Sequence, residues 1–524
     1  MRAMHRIAAV LLLVLAASTS HAQSRWVHLG SNGRLVYAQS PQGDRIIDFS
    51  YAGYRGGGVP LPAVPTSRRV APSGGDDTSA IQAAIDAVAN LPLVHGFRGA
   101  VELQPGIFHC SDTLKIEASG VVLRGAGWNE QSGTTLQMTC KPHLAISVAG
   151  KLKQQTLSGS TTLVDSYVPS GAMVIHVADA ASIHAGDTLL LVKPATPAWV
   201  QFMGMDRLER ADRDEHWVGE DLKVVRRVVA VTGSAVTVDV PLTDDFDSRF
   251  YSGMQPPVTR IEQTGQLAET GIEGLRIVAP ERSVNYREDA EFDGIRMMDV
   301  VDSWISSVHL ENTTNSVRIE SGTERITVAR VDVQQRVSVT SSAKNFQFSC
   351  NGTQVLFDRC TGRGNDLFYF ATQARQQGPV VVLHCHFDGD GHIQPHQRWS
   401  TGLLVDSCEV PGGGIDLLNR GTMGSGHGWT IGWSVLWNNT AADFMVQMPP
   451  GVVNWSIGDR GPHDTRPMPT SGGPKGRPLP YGVIESQGKP VEPASLYLEQ
   501  LRERLGPAAL VAIGYGSAEA SPKL

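Results

Sequence analysis

The 524-residue sequence is poor in aromatic residues (6%) and in charge (19%), and its formal net charge of -7 leaves no basic excess. A chain without a positive balance is not built to hold nucleic acid through its phosphates. Cysteine is scarce: the six residues at positions 110, 140, 350, 360, 385 and 408 show no CxxC spacing, which argues against a thiolate zinc site. Cys360, Cys385 and Cys408 instead recur about every two dozen residues, the pattern of small side chains stacked in a buried ladder. Long apolar runs are also missing. Ile7–Ala17 is too short for the roughly 20 residues a membrane-spanning helix needs. Preceded by Arg2 and Arg6 and followed by Ser20-His21-Ala22, it reads as a signal peptide over residues 1–22, with the mature chain starting at Gln23. The expected location is the periplasm or the medium. No cysteine follows the cleavage site to take a lipid.

Glycine is abundant, with 55 residues, and short alternating apolar stretches dominate. One helix is predicted at Thr78–Ala89, where Ile81, Ala84, Ile85 and Val88 share a face and Asp77 stands at the N-cap position. Short strands follow at Ala100–Leu103, Thr113–Ile116 and Val121–Arg124. From Val308 onward, apolar pairs repeat: Val308/Leu310, Val331/Val333, Val355/Phe357, Val381/Leu383, Leu403–Val405, Ile431/Trp433 and Val453/Trp455. Steps of about 22 to 28 residues match one coil of a parallel β-helix, in which each coil buries its inward side chains only by stacking on its neighbours. The fold expected is all-β, a single-stranded right-handed parallel β-helix over residues 23–460. The Thr78–Ala89 helix caps its N-terminal end. A β-rich insertion, about 156–245, is read from Met173–Val177, Thr188–Val192, Val224–Val231 and Ala235–Val240. Residues 461–524 read as a Pro/Gly-rich linker, Gly461–Lys475, and a tail whose helix Ser495–Leu505 turns Tyr497, Leu498, Leu501 and Leu505 to one side and stops at Gly506.

Asp76-Asp77-Thr78-Ser79-Ala80-Ile81-Gln82-Ala83-Ala84-Ile85, then Leu103-Gln104-Pro105-Gly106, then Val121-Val122-Leu123-Arg124-Gly125-Ala126-Gly127 resemble the opening of the pectate-lyase-like β-helix superfamily. The resemblance covers about the first 60 residues of the β-helix. It implies the fold and a range of glycan chemistries: polysaccharide lyases, glycoside hydrolases, epimerases, esterases and non-catalytic adhesion proteins. It also implies calcium in some members, although Asp388-Gly389-Asp390 reads as a turn and no motif supports a metal site here.

Loops between stacked strands carry side chains in register, so equal offsets before successive strands define a column. It contains Arg375, then His396, Arg398 and Trp399, then His427, then Gln447. Asn419, Arg420 and Trp429 lie in the glycine-rich stretch that holds His427, and Asp366 and Tyr369 precede the column. β-Elimination in a uronic-acid polymer needs a cation on the carboxylate, a base for the C5 proton and an acid for the leaving oxygen. Arg398 or Arg420 suits the first role, His396 or His427 the second and Tyr369 the third. Trp399 and Trp429 would stack on sugar rings, with Arg375, Asn419, Gln447 and Asp366 as further substrate contacts. No cofactor is required. The expected partner is a polysaccharide or oligosaccharide, and the expected state a monomer.

Two alternatives remain. A glycoside hydrolase needs paired carboxylates, for which Asp388, Asp390, Asp406 and Asp416 are candidates. Gly426-His427-Gly428 resembles the Gly-His-Gly of polygalacturonases, but their Asn-Thr-Asp, adjacent aspartate pair and Arg-x-Lys are missing. The other alternative is a glycan-binding β-helix without turnover.

Overall fold

A computed structural model describes residues 22–464 and 480–516, except 207, 211–212, 215–216, 337 and 342. The expected signal peptide up to His21 and most of the expected Pro/Gly-rich linker lie outside the described residues. Among the described residues, no helix is long and apolar enough to cross a membrane.

The chain forms a parallel β-helix with three ladders, each coil contributing one strand to each. The first ladder climbs through Gly99–Leu103, Val121–Arg124, Glu324–Ala329, Thr353–Asp358, Gln377–Leu383, Ser400–Asp406, Val435–Trp437 and Trp455–Ile457. The second runs through Gly106–Cys110, Thr134–Met138, Asp332–Gln334, Thr361–Arg363 and His386–Asp388. The third contains Leu114–Ile116, Leu144–Ala149, Asp293–Met298, Val317–Ile319, Phe346–Cys350, Phe368–Thr372 and His392–Ile393, and then the later halves of Glu409–Leu417 and Thr440–Val446. All these pairings are parallel, so every interior strand edge is satisfied by the next coil.

The coil repeat exists, but the expected alignment joined two ladders. Val308/Leu310 and Val331/Val333 belong to the second, whereas Val355/Phe357 and the later pairs belong to the first. One pair is also slipped by a residue. Val355 and Phe357 stand over Val380 and Val382 in the coil interior, so Val381 and Leu383 face outward. In a strand, a shift of one position exchanges the two faces. Trp433 and Trp455 likewise pack outside the coil.

Helix α1 (Thr78–Ala89) closes the N-terminal end by burying Ile81, Ile85 and Val88 against the column. Asp77 does not cap it with its side chain; the carboxylate accepts from the backbone N–H groups of Ser73 (2.8 Å) and His109 (3.2 Å). Between the coils, strands Lys153–Thr156 to Pro257–Thr264 fold as an antiparallel sheet with its own core around Leu189, Leu191, Val224 and Val236, and helix α2 (Pro197–Phe202) projects from it. Helix α3 (Leu496–Leu505) lies against the outer side of the first ladder. Asp406 Oδ2 accepts from Ser495 Oγ and Tyr497 N, both at 2.8 Å, which pins the helix start, and Tyr497, Leu498 and Leu501 are buried while Leu505 is exposed. The cysteine ladder is present: the N–H groups of Cys360 and Cys385 each donate to the next cysteine's sulfur at 3.4 Å, and Asn439 continues the stack above Cys408.

Candidate functional site

The third ladder turns into the first through loops of unequal length, and two of them, 394–399 and 418–430, gather four of the expected residues. His396 and His427 meet with ring centroids 4.7 Å apart at 89°. Arg420 Nη1 donates to the His396 carbonyl (2.9 Å), and Arg398 Nη2 donates to Ser425 O (2.7 Å) and Oγ (2.8 Å). His396 Nδ1 lies 3.1 Å from Gln373 Oε1 in the coil before it. The Arg420 guanidinium sits 5.4 Å above the Phe368 ring, itself stacked on Phe346. The loop can fold back this tightly because Gly421, Gly424, Gly426 and Gly428 all have positive φ; a Cβ on Gly424 would collide with His427 Nε2.

Burial and the two guanidiniums act in the same direction on the imidazoles. His396 is pushed down to about 3 by desolvation, then Arg420 and Arg398; His427 falls to about 2 for the same reasons, with His396 adding to them. Both rings are therefore neutral at pH 7. Burial also lowers Arg420 to about 10, with Asp416 opposing. Among the described residues neither Arg398 nor Arg420 forms an ion pair with a carboxylate. The pocket thus holds two guanidiniums with no carboxylate in direct contact, Asp416 acting on Arg420 only through its charge.

Beside it on the outer surface of the third ladder is a second group that offset counting missed. His392 Nδ1 lies 2.8 Å from Asp416 Oδ2, and Gln394 Nε2 donates to the same oxygen at 2.5 Å. Asp443 joins them, with its carboxylate, that of Asp416 and His392 Nδ1 offering atoms all within 4.8 Å of one another. Gly414 makes this approach possible, since a Cβ there would lie 2.7 Å from His392 Nδ1 and collide with Asp443. Burial lowers the affinity of His392 for its proton, but the Asp416 hydrogen bond and charge outweigh it, and the pKa is raised. Two histidines four positions apart are thus shifted in opposite directions. The register His392↔Gly414 and Ile393↔Ile415 puts Gln394 over Asp416, a signal legible only if the third ladder is aligned by itself. This donor set does not fit calcium, which takes six to eight oxygen ligands. It offers one nitrogen and two carboxylates. Asp390, in the other acidic stretch, holds a turn by accepting from Asp366 N at 2.6 Å.

The remaining expected residues do other work. Trp399 (0% exposed) donates from Nε1 to Asp244 Oδ2 at 2.9 Å and packs edge-on against Trp199 and Trp217; Trp429 (2% exposed) donates to Met203 O at 3.0 Å. Both fasten the insertion to the coils and present no ring to a sugar. Tyr369 lies in the coil core, stacks on Phe387 at 5.0 Å and donates to Gly364 O at 3.0 Å, apart from the histidines, and burial pushes its hydroxyl up to about 12. Arg375 turns away toward Glu220, 3.5 Å distant. Asn419 and Gln447 are buried partners, with Asn419 N donating to Gln447 Oε1 at 2.7 Å, and they shape the loop. Asp366 is exposed on the opposite rim of the third ladder, paired with Lys344. Asp406 is sealed under α3 and Trp217 is buried; His216 lies outside the described residues.

No protein-family model matches the chain, and no curated protein matches it. Several solved structures are similar in fold. The tailspike protein gp49 from Pseudomonas phage LKA1 is 14% identical with a TM-score of 0.38, over 74% of this chain and 66% of that one. A tailspike protein mutant of E. coli bacteriophage HK620, in complex with a pentasaccharide, is 9% identical with a TM-score of 0.40, over 76% of this chain and 55% of that one. The A-module of the Azotobacter vinelandii mannuronan C-5 epimerase AlgE6 is 12% identical with a TM-score of 0.30, over 84% of this chain and 98% of that one. These likenesses concern the fold. The parallel β-helix implied by the opening motifs is present, but nothing assigns the chain to the pectate-lyase-like superfamily.

Proposed function

We propose that this protein is an exported enzyme that cleaves a uronic-acid-containing polysaccharide by β-elimination on the outer surface of the third ladder. The observation that carries this reading is the pair of guanidiniums, Arg398 and Arg420, unmatched by any carboxylate among the described residues and set against two neutral imidazoles. A uronate carboxylate supplies the missing charge and acidifies its own C5 proton. Burial is the main cause that lowers His396; by neutralising the guanidiniums the carboxylate removes the lesser, Coulombic part, so the ring gains basicity once substrate is bound. His396 then takes the C5 proton, the C4–O bond breaks, and the electron pair forms the C4–C5 double bond. His392, whose proton the Asp416 hydrogen bond and charge favour, donates to the leaving oxygen. Phe346 and Phe368 form the apolar floor beneath Arg420.

Incubation with uronate polymers is expected to generate unsaturated ends that absorb in the ultraviolet, in step with new reducing ends. One observation favours a second reading. Asp416 and Asp443 bring carboxylate oxygens within 4.8 Å of each other, near the spacing of about 5–5.5 Å used by retaining glycosidases. New reducing ends without ultraviolet absorbance, lost in both Asp416→Asn and Asp443→Asn, would replace elimination by hydrolysis.

A further inference from the structure

The insertion does not lie flat on the coils. Between its residues Glu220–Arg226 and Gln263–Gln266 and the corner turns around 321–324, 351–353 and 374–377 it leaves a cleft of about 360 Å³, within the size range of small-molecule sites. This cleft lies on the insertion side of the loops, apart from the outer surface of the third ladder. The turn 373–377 serves both places: Gln373 holds His396 at one end, and Arg375, Gln376 and Gln377 line the cleft at the other. The ion pair Arg375–Glu220 bridges coil and insertion at the cleft wall.

Its chemistry differs from that of the histidine pocket. Glu220, Asp221 and Glu324 balance Lys223, Arg226 and Arg375, so the lining carries no net demand for an anion. The rest is largely amide and hydroxyl, groups that both donate and accept, as sugar hydroxyls do. Thr323 Oγ1, Gln376 Oε1 and Gln377 Nε2 are buried without a hydrogen-bonding partner among the described residues, and all three residues line the cleft. Buried polar atoms are seldom left so, and two on one coil with a third two coils away, all along one cleft, mark a place shaped for polar company. We infer that the cleft binds a neutral, hydroxyl-rich segment of the same glycan whose uronate lies at Arg398 and Arg420. The inference rests on that functional reading and adds a second sugar class to it.

The test compares an oligouronate homopolymer with a heteropolymer in which uronate alternates with neutral hexose. Ser321→Trp narrows the cleft from the coil side, and Glu220→Ala, on an exposed side chain, alters its opposite wall. For the parent, kcat/KM is expected to favour the heteropolymer, and in each variant the heteropolymer-to-homopolymer ratio falls about tenfold, the worth of one to two hydrogen bonds. An unchanged ratio in Glu220→Ala and in a Ser321→Trp variant that unfolds like the parent overturns the inference. If the parent turns over neither polymer, the elimination reading fails, and titration with a neutral hexose tetrasaccharide decides the cleft separately. Binding that Ser321→Trp weakens about tenfold supports it, and absence of binding overturns it.

Discussion

The outer surfaces of the first and third ladders are built from the same coils and have met opposite fates. On the first ladder, Trp399, Trp433, Trp437 and Trp455 are buried under the insertion, the N-terminal segment and α3. On the third, Phe368, His392, Asp416 and Arg420 gather on strands and loops of the coils themselves. Indole rings in loops next to histidines and arginines therefore served to attach other segments, while the chemistry gathered on the side left uncovered. Which residues are neighbours in sequence matters less than which ladder each belongs to.

Breaking the sealed side should cost most in stability. Trp399→Ala removes a fully buried ring and strands Asp244 Oδ2, so denaturant unfolding is expected to lose about 3–5 kcal/mol. Arg420→Met, on the open side, is expected to lower kcat/KM on uronate polymers about 100- to 1000-fold, with a smaller shift in unfolding midpoint than Trp399→Ala. Asp406→Asn weakens the acceptor that pins the start of α3 and should cost about 1–2 kcal/mol of stability, with turnover intact. A further effect is in slope. His396 and His427 have folded-state pKa values near 3 and 2, below the unfolded value of about 6.5, so the unfolded chain binds more protons between these limits. Stability is present above pH 6.5 and is lost as pH falls through that window. His427→Gln should flatten this loss, as read by unfolding at pH 7, 5.5 and 4.5.

The same contrast explains what could be read in advance. Helix α1 was legible because Ile81, Ile85 and Val88 recur at helical spacing, and the coil repeat because each turn of the solenoid must bury an apolar pair. The convergence of His396, Arg398, Arg420 and His427 followed from the repeat, since loops on one corner stack. The roles of Trp399, Trp429 and Tyr369 were not legible. Three ladders of short alternating strands look alike in sequence, and a slip of one residue, as at Val381 against Val380, exchanges inside and outside. His392 over Asp416 was lost for the same reason, because the offsets were counted from the first ladder.

The most direct test of the account is a crystal structure of the Asp416→Asn variant with a bound oligouronate. The account predicts sugar rings along the outer surface of the third ladder, with one carboxylate at Arg420 and Arg398 and its C5 facing His396. An oligouronate bound elsewhere, with the histidine pocket left without a carboxylate, would contradict it.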